Sequence, residues 1–425
     1  MFPTFSVLPH ECVAKGWDHG VRLGTPLFLN GFSCPQPPRE VGTGLGPPGR
    51  LGQNAMNIAK QLQINRGCGR RSRSGRWLRK RTRLAQHHRT AIRRCTANSC
   101  IRPAHNPLYL GITWSVLPMQ EGVCRILSLD GGGAKGFYSL GVLAEVEAVL
   151  PQPIHESFDL IFGTSTGSII ATLLATGKTV EEIHCLYREH VPHIMQAKKP
   201  RERTRRLRAV GEKVFGEDGF DTVRTGLGVV TTKWQLETPM IFKSMQTQAH
   251  GRRATFVPGF GCTLADAVEA SCSAYPFFER KIVKTSTGND VELFDGGYVA
   301  NNPALYALAD ATGPLGFAPT ECRVLSIGCG QYPEPRYPFF ERMKRRFWLV
   351  QLLQKTLEVN TASMDQLRQL LFATVPTARV SDHFNKPEMA TDLFEHDLNK
   401  LNLLRQQGSE SFGRYENKIH DVLFS

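Results

Sequence analysis

Five residues constrain this chain more than any others. Gly163-Thr164-Ser165-Thr166-Gly167 lies between two apolar runs, Phe158-Asp159-Leu160-Ile161-Phe162 and Ser168-Ile169-Ile170-Ala171-Thr172-Leu173-Leu174. That order reads as strand, sharp turn, helix. Gly-x-Ser-x-Gly in such a setting is the pattern of a nucleophile elbow. The turn is tight, so small residues flank the serine. Its oxygen is held out at the C-terminal end of the strand, near the positive end of the helix. Taken alone the pattern is weak, because glycine and serine crowd loops in general. The competing interpretation is a serine packed in a glycine turn beneath the sheet. The flanking elements and two further glycine motifs favour the elbow.

The first of these motifs is Asp130-Gly131-Gly132-Gly133-Ala134-Lys135-Gly136, after the strand candidate Val123–Leu129 and before a helical stretch from Phe137 to Leu150. Gly131-x-Gly133-x-x-Gly136 also fits a dinucleotide fingerprint. That alternative requires an acidic residue at the end of the next strand. The next strand instead ends at Phe162 and enters Gly163-Thr164-Ser165, a nucleophile turn. The glycines therefore read as a nest of backbone donors converging on an anion. In acyl transfer that anion is the oxygen of the tetrahedral intermediate. Gly132 and Gly133 are the leading donors, with Gly131 beside them and the Thr166 amide as an addition from the elbow.

The second is Asp295-Gly296-Gly297, at the end of the apolar strand candidate Val291–Phe294. Alone, Asp-Gly is a common turn. It gains weight because a nucleophilic serine needs a base. His155, His184, His190, His193, His250, His383, His396 and His420 all lie in polar or helical segments, none in a glycine-flanked turn after a strand. A desolvated carboxylate within hydrogen-bond reach can take the serine proton directly.

From residue 123 onward strands alternate with helices, which predicts an α/β sandwich with a mostly parallel central sheet. Further strands are expected at Met240–Met245, Ala254–Pro258 and Arg323–Gly328, the last of them. Further helices are expected at Val180–Val191 and Thr263–Ser271, with helices dominating the C-terminal part. Lys198–Arg208 is a basic run expected to present a solvated face. Residues 1–118 differ. They are rich in Gly, Pro and Arg and show no sustained period. The chain carries 52 Lys/Arg and 38 Asp/Glu, a net charge of +14. Eighteen of the basic residues and only 3 of the acidic ones precede residue 119, leaving 34 basic against 35 acidic in 119–425. The chain thus divides into a basic tail or overlong gene start, 1–118, and a domain, 119–425, whose translation is expected to begin at Met119. A nucleic-acid role for the basic stretch 66–94, which includes Arg70–Arg81, is set aside. The six cysteines of the domain show no CxxC pair and are expected to be buried free thiols of a reducing compartment. No Cys/His spacing suits zinc. No secretory signal or membrane span is expected.

Together these residues resemble the patatin-like phospholipase family. The family's Asp-Gly-Gly-Gly-x-Arg-Gly loop corresponds to Asp130–Gly136, its Gly-x-Ser-x-Gly to Gly163–Gly167, and its Asp-Gly-Gly to Asp295–Gly297. The small-residue run Ala270-Ser271-Cys272-Ser273-Ala274-Tyr275-Pro276-Phe277-Phe278 and Asn301-Asn302-Pro303 fit as well. The resemblance covers Val123 to the C-terminus. It implies a three-layer patatin-like sandwich and a Ser165–Asp295 dyad that cleaves acyl esters of membrane phospholipids without metal or cofactor. It further implies a cytoplasmic protein that meets the membrane surface transiently, with a homo-oligomer left open. The chain departs from the family at Lys135, where arginine is usual. A planar fork of donors is replaced by a point charge.

The stretch Glu341–Leu371 has apolar residues at Met343, Phe347, Val350, Leu353 and Leu357, with Lys344, Arg345 and Arg346 alongside. Such a stripe is the mark of a helix packed on a sheet; the competing function is a basic amphipathic helix on anionic lipid. Other chemistries available to the same dyad are those of a lysophospholipase, a triacylglycerol lipase or an acyltransferase. Relatives that the resemblance brings in also include phospholipases switched on by cyclic dinucleotides in antiphage defence.

Overall fold

A computed structural model of the protein describes residues 122–251, 253–335 and 345–425, and the side chains of all of these except 345–347. The expectations placed on residues 1–118, Met119, Met343, Lys344 and the side chains of Arg345, Arg346 and Phe347 lie outside the described residues.

In chain order the main elements are β1 Cys124–Leu129, α1 Gly136–Val149, β2 Leu160–Thr164, α2 Thr166–Ala175, α3 Val180–Gln196 and α4 Pro200–Phe215. Next come β3 Gly226–Lys233, β4 Pro239–Lys243, α5 Leu264–Ser271, β5 Lys281–Lys284, β6 Asp290–Asp295 and α6 Ala304–Thr312. The chain ends with β7 Cys322–Ile327, α7 Arg345–Leu371, β8 Thr377–Val380 and α8 Leu398–Phe424.

The strands form one sheet in the order β5-β6-β3-β2-β1-β7-β8, with β4 paired to β3. The run β3-β2-β1-β7-β8 is parallel, while β4, β5 and β6 add antiparallel pairs. Alternation along β1 shows how the sheet is covered. Leu127 and Leu129 face one core cluster with residues of α1, α2, α3 and α8. Cys124 and Ile126 face a second with α6. Side chains of period two on a sheet buried on both faces require helices on both sides. The result is the three-layer α/β sandwich.

One feature of the sheet positions the site. Thr231 and Thr232 of β3 pair with β4 and also with β6, so β4 and β6 occupy opposite edges of β3. β2 pairs with Gly226–Val230, which are also bridged to β4 from Gly228 onward, so β2 lies on the same edge as β6. Thr164 is opposite Val230, and Asp295 is opposite Thr231. The ends of β2 and β6 therefore abut on a common neighbour.

Some expectations are corrected. Residues 254–258 are not a strand but lie in 3-10 turns, Arg253–Thr255 and Pro258–Gly261, between positive-φ glycines 251 and 259. β7 is not the last strand, because β8 follows it at the sheet edge. Cys185 is exposed on α3, unlike the buried Cys124, Cys262, Cys272, Cys322 and Cys329. The basic run of α4 is not wholly solvated. Arg203 is buried, donating from Nη1 to the Phe277 carbonyl at 2.9 Å and from Nη2 to the Ala197 carbonyl at 2.5 Å.

Candidate active site

Ser165 stands between β2 and α2 with φ 51° and ψ −122°. Such a conformation costs a non-glycine residue on the order of 1–3 kcal/mol and persists only where the surroundings fix it. The Ser165 amide donates to Ser271 Oγ at 2.9 Å, and that hydroxyl donates onward to the Val230 carbonyl at 2.6 Å. The Ser165 carbonyl accepts from the Ser168 hydroxyl at 2.6 Å and the Ser168 amide at 2.8 Å. Gly163 and Gly167 permit the close turn. A Cβ on Gly163 would collide with the Gly167 carbonyl, and one on Gly167 with the carbonyls of Leu129 and Asp130.

Asp295 ends β6. Its Oδ2 accepts from Ser165 Oγ at 2.7 Å and its Oδ1 from the Gly297 amide at 2.7 Å. Gly296 lets the turn press on β3, since a Cβ there would collide with the Val230 carbonyl. Asp295 is only 1% exposed. Burial pushes its pKa up to about 6 against the opposing hydrogen bonds from Gly297 and Ser165. Among the described residues no histidine lines the cavity that contains the pair.

The glycine loop is only partly available as a donor nest. Gly131, expected among the oxyanion donors, is committed elsewhere. Its amide donates to the Asn301 carbonyl at 3.0 Å, and Asn301 Nδ2 donates back to the Gly131 carbonyl at 3.1 Å. The Ala134 amide is likewise used by the Leu393 carbonyl at 3.0 Å. Between them the amides of Gly132 and Gly133, and across the site that of Thr166, have no acceptor among the described residues. All three residues line the cavity with Ser165. Gly133 has φ +56°, a left-handed conformation that glycine adopts without steric cost.

The remaining motif residues support the loop. Asp130 is buried and takes a bidentate pair from Arg379 of β8, Nη1 to Oδ1 at 2.9 Å and Nη2 to Oδ2 at 2.5 Å. Burial raises its pKa and Arg379 opposes that. Gly136 packs against Thr166, whose Oγ1 is 2.9 Å from the Tyr187 hydroxyl. Lys135 is buried, its Nζ 5.9 Å from the centre of the Tyr332 ring.

Two supports were not assigned a role from sequence. Ser271 belongs to the small-residue run, but its grip on the Ser165 amide is a contact across 106 residues. The helix α7 does not simply lie on the sheet. Leu353 and Leu357 line the Ser165 cavity, and Asn360 Oδ1 accepts from the Asn301 amide at 2.8 Å. The outer side of the same helix exposes Trp348, Leu352, Val359 and Leu370.

A family model described as patatin-like phospholipase matches residues 127–308, which hold the glycine loop, the elbow and Asp295. A cUMP-AMP-activated phospholipase of Escherichia coli is 54% identical over 319 residues, covering 73% of this chain and 100% of that relative. The chain belongs to the patatin-like phospholipase family. It is thus a lipid ester hydrolase by family. A cGAMP-activated phospholipase of Vibrio cholerae is 29% identical over 43% of this chain and 56% of its own length. The calcium-independent phospholipase A2-gamma of Rattus norvegicus is 27% identical over 52% of this chain and 30% of its own.

In this patatin-like phospholipase the Ser165 cavity measures about 640 Å³, and its walls include Ile194, Met195, Leu207, Leu353, Leu357 and Phe394. A second apolar cavity of about 530 Å³ shares Ile169, Val191, Ile194 and Leu207 with it and extends between α3, α4 and α5. Among the described residues no helix is long and apolar enough to cross a membrane.

Proposed function

We propose that this patatin-like phospholipase cleaves acyl esters of membrane phospholipids, as a phospholipase of the A type, through Ser165 and Asp295. Ser165 Oγ attacks the ester carbonyl carbon as its proton passes to Asp295 Oδ2. The carbonyl electron pair moves onto oxygen, where the Gly132 and Gly133 amides, with Thr166 as a third donor, meet the charge. Collapse expels the lysolipid alkoxide, which takes the proton from Asp295. Water then attacks the acyl-enzyme, with Asp295 again accepting the proton, and the fatty acid leaves as Ser165 is restored. The apolar cavity takes the acyl chain, and the second cavity its distal end. The exposed apolar side of α7 supports transient contact with a lipid surface.

The observation that carries this reading is the 2.7 Å hydrogen bond from Ser165 to Asp295. Three amides with no acceptor among the described residues line the same cavity. Product analysis by mass spectrometry on mixed bacterial lipids tests it. Assayed with cUMP-AMP present, the wild-type protein is expected to release fatty acid and lysophospholipid, and Ser165→Ala to lose about three orders of magnitude or more in rate. Products confined to lysophospholipid, triacylglycerol or acyl-transfer turnover would move the assignment to one of those chemistries. Full turnover by Ser165→Ala would remove the serine from the mechanism.

A second reading concerns regulation. The Escherichia coli relative, matched over its whole length, is named as activated by cUMP-AMP. We infer that the present enzyme is held silent until such a nucleotide binds, as an antiphage effector would be. Vesicle hydrolysis is expected to rise on addition of cUMP-AMP. Activity already maximal without nucleotide would count against gating and leave the dyad untouched.

A further inference from the structure

The end of α5 touches both halves of the proposed dyad. Ser271, its last residue, accepts the Ser165 amide on Oγ at 2.9 Å and donates the hydroxyl proton to the Val230 carbonyl at 2.6 Å. Two residues on, the Ser273 carbonyl accepts the Asp295 amide at 3.1 Å. Cys272, between them, lines the cavity that holds Ser165 and Asp295. One short segment thus grips the backbones of two residues that lie 130 positions apart in the chain.

The first grip meets a specific need. At φ 51° and ψ −122° Ser165 is in a conformation that its surroundings must hold. A hydroxyl has one proton and two lone pairs. With the proton spent on Val230, a lone pair of Ser271 Oγ is turned to the Ser165 amide. Ser271 has no exposed surface, so bulk water does not compete for that amide. The third partner matters as well. Val230 is opposite Thr164 in the ladder with β2, and the next residue of β3, Thr231, is opposite Asp295 in the ladder with β6. Ser271 therefore ties the turn of the nucleophile to the strand that sets the register of the base. The segment is itself anchored. Ser273 Oγ donates to the Glu269 carbonyl at 2.8 Å, and the buried Glu269 carboxylate accepts from Arg208 of α4 at 2.8 Å and Lys281 of β5 at 2.7 Å.

We propose that Ser271 is a positioning residue for ester cleavage, its hydroxyl holding Ser165 in the strained conformation that keeps Oγ against Asp295, while the Ser273 carbonyl fixes Asp295 from the same segment. Ser271 does not line the catalytic cavity and acts through Ser165. The inference rests on the Ser165–Asp295 reading and deepens it.

Loss of the hydroxyl frees Ser165 to relax toward an ordinary backbone conformation, and Oγ departs from Asp295. Turnover falls while KM changes little, because the apolar walls that hold the acyl chain are untouched. Burial raises the Asp295 pKa to about 6 against hydrogen bonds from Gly297 and Ser165, so losing the second of these bonds moves it further up. A loss of packing alone lowers the yield of folded protein and leaves that pKa in place.

The test uses the full chain, with cUMP-AMP present, as wild type, Ser271→Ala and Ser165→Ala. Competent sites are counted by titration with a fluorophosphonate, and kcat and KM on p-nitrophenyl butyrate are measured from about pH 5 to about pH 8. Ser271→Ala is expected to lower kcat per titrated site by about tenfold or more, to leave KM within about twofold, and to move the acid limb of the profile to higher pH. A kcat per site within about twofold of wild type, or a fall that leaves the acid limb in place, would overturn the proposal. Should Ser271→Ala not melt cooperatively, Ser271→Cys carries the same readouts, because a thiol nearly keeps the shape and is a weak acceptor. Full turnover by Ser165→Ala would overturn the dyad reading and this proposal with it. An inert Ser165→Ala beside an unaltered Ser271→Ala would overturn the positioning role alone.

Discussion

In the proposed mechanism Asp295 serves catalysis at the expense of stability. A carboxyl of ordinary pKa 3.8 is held by burial at about 6. Between those values the folded protein binds more protons than the unfolded chain. The stabilisation that comes with protonation is fully present below 3.8 and is lost as pH rises through 6. By pH 7 the ionised group costs roughly 3 kcal/mol. Asp295→Asn keeps an acceptor for the Gly297 amide and carries no charge to desolvate. It is expected to abolish ester hydrolysis while raising the melting temperature at neutral pH by several degrees, an advantage that vanishes below pH 4 in scanning calorimetry. In the wild type, kcat/KM on a soluble ester is expected to fall on acidification with an apparent pKa of about 6, because a protonated Asp295 cannot take the serine proton. At this scale the meeting of Ser165 with Asp295 was legible, since each sits in a glycine turn after an apolar run. The engagement of Gly131 was not. Its acceptor, the Asn301 carbonyl, lies 170 positions away, and nothing local in three consecutive glycines marks which amide is already in use.

Among elements, the least visible in the sequence proved the most consequential for the site. β3 reads Gly226-Leu227-Gly228-Val229-Val230-Thr231-Thr232-Lys233, and glycines at its start weaken any strand signal. The structure supplies their reason. A Cβ on Gly228 would collide with the Phe162 ring, and one on Gly226 with Leu160 and Met245, so large side chains of neighbouring elements occupy the space. β8 is short and follows Pro376, and it is held by pairing with β7 and by the Arg379–Asp130 pair, neither of which is a local property. β1, β2 and the elbow helix were readable because their apolar runs are continuous. The contact of α1 with α8 has the same glycine logic as β3. Gly141 and Gly408 meet where a Cβ on Gly408 would collide with the Tyr138 carbonyl. Gly408→Val is expected to destabilise the fold by about 1–3 kcal/mol, read as a lower midpoint in urea unfolding with an unchanged slope.

For the whole molecule, the two apolar cavities share Ile169, Val191, Ile194 and Leu207, and in the proposed reaction they set how much acyl chain can be housed. Ala265 of α5 lines the distal one and not the one that holds Ser165. Ala265→Trp is expected to lower kcat/KM for a C18 ester by about tenfold relative to a C8 ester, since each excluded methylene forfeits about 0.8 kcal/mol of burial. Equal loss on both chain lengths would place the chain elsewhere. The abutting ends of β2 and β6 have a consequence of another kind. Neither strand touches the other through a ladder; β3 is the rail on which both stop. A slip of β6 by one residue would turn the Asp295 side chain to the opposite face of the sheet. A ribosome-bound chain that has emerged only as far as the elbow therefore holds a serine without the carboxylate that the proposed mechanism requires. On that mechanism the cell's own lipids meet a competent hydrolase only after β6, which ends 130 residues beyond Ser165, has zipped into register.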